Sequence, residues 1–183
     1  VTVFSAKLPD GANIGDYVNV SGTVSLYSNL YEIKSATLKA VAAADVPDVV
    51  LPTTLALNAT NSPNIVADMA SRQTTLTDGV VTSVSGSDGG NLTFQVKVGT
   101  VAYTVFENPS YAAAADYATF KQIRQAKDGT PGTVATLLQV NDTVTLTGFS
   151  SFYTTPQIVN AKVTAWTQGI EDTTKPTSIT IAD

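Results

Sequence analysis

The chain has 183 residues, enough for one large or two small domains and for a buried core. Its 10 Lys and Arg stand against 15 Asp and Glu, a net charge of -5, so it lacks the basic stripe that nucleic-acid binders use. With 0 Cys and 0 His it has no thiolate nucleophile, no imidazole base, no Cys/His zinc site and no disulfide.

Charged residues make up only 14%, and Thr, Val, Ser and Ala dominate, which is a β-rich composition with a weakly charged surface. No apolar run approaches the roughly 20 residues of a membrane helix, so no membrane span is predicted.

In chain order, Val1-Thr2-Val3-Phe4 alternates and predicts a strand that begins in mid-course, so the chain reads as a fragment of something longer. Leu8-Pro9-Asp10-Gly11 predicts a turn. A strand follows over 17–27, with Val18, Val20, Val24 and Leu26 on its core face and Tyr17, Asn19, Ser21 and Ser25 facing water. Gly22 falls on the inward side, where a missing side chain lets the strand coil. The return strand covers 31–41. Pro47, Pro52 and several Asn and Thr mark 45–61 as a connection with a short extended run at 49–51. Ser62-Pro63 then predicts the N-cap and first residue of a short helix ending at Ala70.

The next strand is 75–84, whose Asp78-Gly79 suggests a bulge, and Gly86-Ser87-Asp88-Gly89-Gly90 is a flexible turn. Residues 91–98 and 101–106 form a hairpin through Gly99-Thr100, with Leu92, Phe94, Val96 and Val98 on one face and Thr93, Gln95 and Lys97 on the other. Asn108-Pro109 predicts the cap of a helix reaching Lys127, with Gly129 just beyond it. Its alanines favour helix, Tyr117, Phe120 and Ile123 are its buried stripe, and Lys121, Arg124 and Lys127 are a solvated basic face.

The final elements repeat the earlier ones. Asn141-Asp142-Thr143-Val144-Thr145-Leu146-Thr147-Gly148-Phe149-Ser150-Ser151-Phe152-Tyr153, running on to Gln157-Ile158-Val159-Asn160-Ala161, matches Gly15-Asp16-Tyr17-Val18-Asn19-Val20-Ser21-Gly22-Thr23-Val24-Ser25-Leu26-Tyr27, running on to Glu32-Ile33-Lys34-Ser35-Ala36. In both, an Asp opens the unit, a Gly ends the first alternation, and an Ile and an Ala close it. The second module therefore reads strand, strand, strand, helix, strand, strand, the order of the OB-fold. The first matches only its end, with Val1-Thr2-Val3-Phe4 aligned on Tyr103-Thr104-Val105-Phe106.

The expected fold is mainly β, with two OB-fold-like Greek-key barrels in tandem. The first, 1–44, is incomplete at its N-terminus. A linker and short helix follow over 45–70, then a complete second module over 71–168 with a helix between strands three and four. Residues 169–183 are a linker, Glu171-Asp172-Thr173-Thr174-Lys175-Pro176, and the start of a following domain. An incomplete barrel leaves strand edges open, so cover is expected from the second module, a second copy as in a dimer, or an N-terminal fragment.

The pattern Gly/Asn-Asp-x-Val-x-Val/Leu-x-Gly, followed by Tyr and then Glu/Gln-Ile, resembles a family of OB-fold domains in secreted and surface bacterial proteins. These often occur in tandem beside extracellular nucleases, lipoproteins and Ig-like repeats. The resemblance covers 15–36 and, more loosely, 75–161. It implies an extracellular or cell-surface setting, accessory domains without catalysis of their own, and the adjoining domains of the parent protein as partners. The acidic, Arg-poor composition departs from nucleic-acid-binding relatives.

OB-folds bind ligands on strands two and three and in the loops joining strands one and two and strands four and five. That selects Phe94, Tyr103, Phe149 and Tyr153 as stacking surfaces for bases or sugars. Tyr153 recurs at the place of Tyr27, so packing beneath a turn is its simpler account. Asp10-Gly11, Asp88-Gly89 and Asp128-Gly129 read as turns, without the carboxylate ladder of a calcium loop. Asp16 and Asp142 recur at strand starts, placed to accept backbone amide hydrogen bonds. No paired carboxylates and no nucleophile with a base share an element, so no catalytic, metal or cofactor site is expected. The function read from these features is a non-catalytic binding or spacer module. The alternatives are a single-stranded nucleic-acid accessory module of a nuclease, and a glycan- or protein-binding module.

Overall fold

The computed structural model describes residues 2–3, 6–13, 16–27, 30–46, 53–86, 90–108, 120–125 and 130–169, and these are mainly β. Strands β1 (Thr2–Val3), β2 (Val18–Tyr27) and β3 (Leu30–Ala40) form one sheet in the order β1-β3-β2. A second sheet contains β4 (Leu55–Leu57), β5 (Gln73–Gly86), β6 (Leu92–Val98), β7 (Val101–Glu107), β10 (Thr143–Tyr153) and β11 (Thr155–Thr167). Between β7 and β10 lies a separate hairpin of β8 (Lys121–Gln125) and β9 (Pro131–Leu137).

The second sheet closes on itself. Strands β5, β6 and β7 are an antiparallel meander, β11 runs parallel to β7, and β10 is antiparallel to both β11 and β5. The result is a five-stranded barrel. Its seam is extended at both ends, where Val81 N–H donates to Asp142 O at 2.8 Å and Ser71 N–H donates to Ser150 O at 2.7 Å. Strict alternation on β6 sends Leu92, Phe94, Val96 and Val98 into the barrel. Leu76, Tyr103, Leu146 and Ile158 meet them from the other walls, and Phe120 packs edge-to-face on Phe94 with centroids 5.5 Å apart. The bulge predicted at Asp78-Gly79 is present, with Asp78 at φ 52 and a register shift against β10. The connection over 45–61 contributes β4, which pairs parallel with β5 and buries Leu55 and Leu57.

The repeated stretches fold alike. In the first, Thr2 and Val3 oppose Glu32 and Ile33; in the second, Thr104 and Val105 oppose Gln157 and Ile158. The register of β2 on β3 slips between Ser21 and Thr23, and that of β10 on β11 between Thr147 and Phe149. Ser35 and Asn160 both sit at φ 49 in the return strand. Glycine is required at both slips, because a Cβ on Gly22 would lie 2.6 Å from Ile33 Cγ2 and one on Gly148 2.8 Å from Ile158 Cγ2. A bulge with close backbone approach coils each hairpin sharply.

Three expectations need correction. The first copy is an open three-stranded sheet rather than a barrel, since β1 and β2 are its two edges among the described residues. Consequently Val24 and Leu26, expected in a core, are exposed, because among the described residues no second layer faces them there. The helix expected to reach Lys127 does not include Lys121–Gln125, which form β8 against β9; residues 109–119 and 126–129 lie outside the described residues. Phe120 is buried as expected, but Ile123 is exposed, so the predicted helical stripe is broken. At Lys121–Gln125, ladder pairing and the hold of Asp142 on Arg124 outweigh helix propensity. The short helix expected over 62–70 is reduced to one 3-10 turn, Ala67–Met69.

Replacing Gly148 by Ala should lower the free energy of unfolding by about 1–3 kcal/mol, the usual cost of overpacking. Urea denaturation of the variant measures this, and an unchanged midpoint would show that the bulge is not needed for closure.

Candidate functional site

Asp142 ends the turn that leads into β10, where Asn141 takes φ 73. Gln139 N–H donates to Asp142 Oδ2 at 2.9 Å while Asp142 N–H donates to Gln139 O at 3.1 Å. The first copy repeats this reciprocal pair, with Asn13 N–H donating to Asp16 Oδ2 at 2.7 Å and Asp16 N–H to Asn13 O at 3.1 Å. Among the described residues only the second copy builds further. Arg124 Nη1 donates to both carboxylate oxygens, at 2.7 and 2.5 Å, Trp166 Nε1 donates at 3.0 Å, and Gly169 N–H donates at 2.9 Å. The guanidinium carbon of Arg124 also lies 5.9 Å from the Trp166 ring centroid.

This clasp joins β8, the start of β10 and the end of β11. Burial by itself would raise the Asp142 pKa, but the Arg124 guanidinium, the Gly169 and Gln139 amides and the Trp166 indole reverse that and hold it below the usual carboxylate range. A buried carboxylate with these donors around both oxygens holds β8, β10 and the end of β11 together. Because its folded pKa is depressed, its contribution to stability is present above the unfolded value near ~3.9 and is lost as pH falls through the lower, folded value. Asp142→Asn should cost roughly 3–5 kcal/mol by leaving Arg124 without its buried counter-charge. It should also flatten the acid limb of a stability-versus-pH curve; an unaltered acid limb would contradict the assignment.

The four aromatic candidates divide. Phe94 and Tyr103 point into the barrel and are buried, so they offer no stacking surface; both lie on the inward phase of their strands. Tyr103 O–H donates to Pro63 O at 2.7 Å, tying β7 to the segment after β4, and burial pushes its phenol up to about 12. A phenol raised in the folded state stabilises fully below its unfolded pKa of ~10 and loses that contribution as pH rises toward the folded value. Tyr103→Phe should cost about 1 kcal/mol at neutral pH and remove this alkaline loss, which unfolding measured through pH ~10–12 would reveal.

Phe149 and Tyr153 are on the outside, 46% and 53% exposed. Phe149 stands on the outer wall of β10, and Tyr153 at the tip of the β10–β11 hairpin, about 13 Å further along the strand. Register brings two further residues to Phe149. Val159 lies opposite Phe149 across β10–β11, and Phe106 lies opposite Val159 across β11–β7. Phe106, Val159 and Phe149 thus form a row across three strands, with the first two half-buried. Polar neighbours frame it: Thr93 opposes Phe106, Gln73 opposes Phe149, and Gln157 opposes Thr104.

Sequence reasoning misses Phe106 and Val159 because they join the row only through a parallel pairing between distant strands. It misses Arg124 as the partner of Asp142 because a helical phase puts that residue among solvated cations. The repeated Asp was the available signal. An open recess of ≈ 260 Å³ also lies on the other sheet, lined by Tyr17, Val18, Asn19, Ala40, Val41, Ala42 and Asp45, and it gathers no reactive constellation. Among the described residues no group of His, Cys, Asp and Glu could hold a metal ion, and no helix is long and apolar enough to cross a membrane. Compared with known proteins, the chain matches no family model and no curated protein significantly.

Proposed function

We propose that this chain is a non-catalytic binding module whose barrel is an OB-fold and whose ligand, a neutral glycan, lies against the outer wall at Phe149. The strand order supports the fold reading: a three-strand meander, a parallel pairing of its third strand with the last strand, and closure of the fourth strand on the first. The observation that carries the function is the row Phe106–Val159–Phe149 bordered by threonine and glutamine side chains. An aromatic face beside neutral hydrogen-bonding groups suits a sugar ring.

Single-stranded nucleic acid is the second reading, since exposed aromatics also stack bases. It is weakened by the net charge of -5 and by Lys97 being the single cation in β6 and β7. The tandem arrangement, the secreted or surface bacterial setting and the service to adjoining domains rest on the sequence resemblance and belong to the same proposal.

A glycan array probed with the whole chain and with Phe149→Ala tests the reading. Binding to a neutral glycan should weaken about 5- to 100-fold in the variant, the range expected for one lost stacking contact. No glycan bound by the chain, or equal binding by both proteins, contradicts it. Binding of single-stranded DNA at low salt that fades as salt rises would favour the second reading.

A further inference from the structure

We propose that the β1-β3-β2 sheet is an acceptor for a β-hairpin from another polypeptide segment, one with alternating apolar residues like β5–β6. The hairpin pairs antiparallel with the free edges of β2 and β1 and closes a barrel. This inference stands on strand register and is independent of the ligand proposed for Phe149.

The second copy of the hairpin shows what belongs on these edges. There the counterpart of β2 is β10, whose far edge is taken by β5, and the counterpart of β1 is in β7, whose far edge is taken by β6. The first sheet reproduces the wall in the pairing of Val3 with Ile33, the slip at Gly22 and the positive φ at Ser35, and lacks the second slip that β10 shows between Thr145 and Leu146. It is shaped to close, and nothing closes it among the described residues.

Its inner face carries the consequence. Leu146 is 0% exposed in the closed barrel, while Val20 at the equivalent position is 36% exposed. Ser150 is buried, while its counterpart Val24 is 66% exposed, and Leu26 beyond it is 62% exposed. A coiled apolar face between two strand edges left bare among the described residues asks for a ligand that brings both backbone hydrogen-bonding groups and apolar side chains in period two. Only a polypeptide strand pair has both. A sugar or a lipid could cover the face but would leave the amides of the two edges unpaired in register.

The register also fixes how the hairpin sits. Leu146 opposes Leu76 and Gly148 opposes Thr74, so Val20 and Gly22 should oppose the matching positions of the incoming strand. On the other edge Val105 opposes Phe94, so Val3 should oppose a large apolar residue.

A fusion tests this directly. A second copy of residues 73–102 is placed immediately before Val1, which restores the connection by which Ala102 precedes Tyr103. Hydrogen exchange of the β2 amides that do not face β3 should slow at least about tenfold relative to the unfused chain. Leu76→Asp in the added copy only should abolish the effect, while Trp166 fluorescence reports that the original barrel stays folded. If the fusion fails to fold, a synthetic peptide of residues 73–102 added to the unfused chain gives the same readout. Unchanged exchange in both formats overturns the proposal. So does slow exchange of these amides in the unfused chain that deepens with protein concentration, because a second copy would then be the cover.

Discussion

Closure of the barrel rests on one strand being paired on both sides. β10 holds β11 along one edge and β5 along the other, and it can reach both only because the hairpin coils at Gly148. A side chain at that point would press on Ile158 and the Val159 carbonyl, and the strand would straighten away from its partner. Once the wall curls, alternation does the rest. Every second residue of five strands enters one core, and burial of each Val, Leu or Ile contributes about 1.5–3 kcal/mol. The first sheet has the same coil at Gly22 without, among the described residues, the two strands that would exploit it. Its apolar residues therefore gain only part of that energy, which makes the two halves of the chain unequal in stability despite their common geometry.

The polar parts divide between holding and meeting. Asp142 binds β8, β10 and β11 through Arg124, Trp166 and the Gly169 amide, and Tyr103 fixes the segment after β4 through Pro63. These groups are turned inward and satisfied, so they give the barrel a single arrangement. In the proposed reading the ligand meets the outer wall, where Phe149 offers stacking and Thr93, Gln73 and Gln157 offer neutral hydrogen bonds. In that reading Phe149 stands on a strand paired along both edges, which holds its position.

Much of this was legible in the sequence. The period-two pattern of Leu92, Phe94, Val96 and Val98 gave the strand and its inward face, and the recurrence of Asp, Gly, Ile and Ala gave two hairpins with one shape. The alignment of Val1-Thr2-Val3-Phe4 on Tyr103-Thr104-Val105-Phe106 made those stretches counterparts, and Thr2 and Val3 pair with β3 as Thr104 and Val105 pair with β11. Less was legible where a long-range partner decides. Lys121–Gln125 has no strong period, and its conformation is set by β9 and by Asp142. Strand number alone marks Phe94 and Tyr103 as ligand-facing, whereas strand phase sends both inward. Phe106 and Val159 become neighbours only through β7–β11 pairing, which no local window contains.

The claim that one wall is closed and its twin open is tested most directly by residue-level hydrogen exchange on the dilute, unfused chain. Slow exchange on both edges of β10, but in β2 only for amides that face β3, is the pattern this account predicts. Equal protection on both edges of β2, or fast exchange of the β10 amides that face β5, would contradict it.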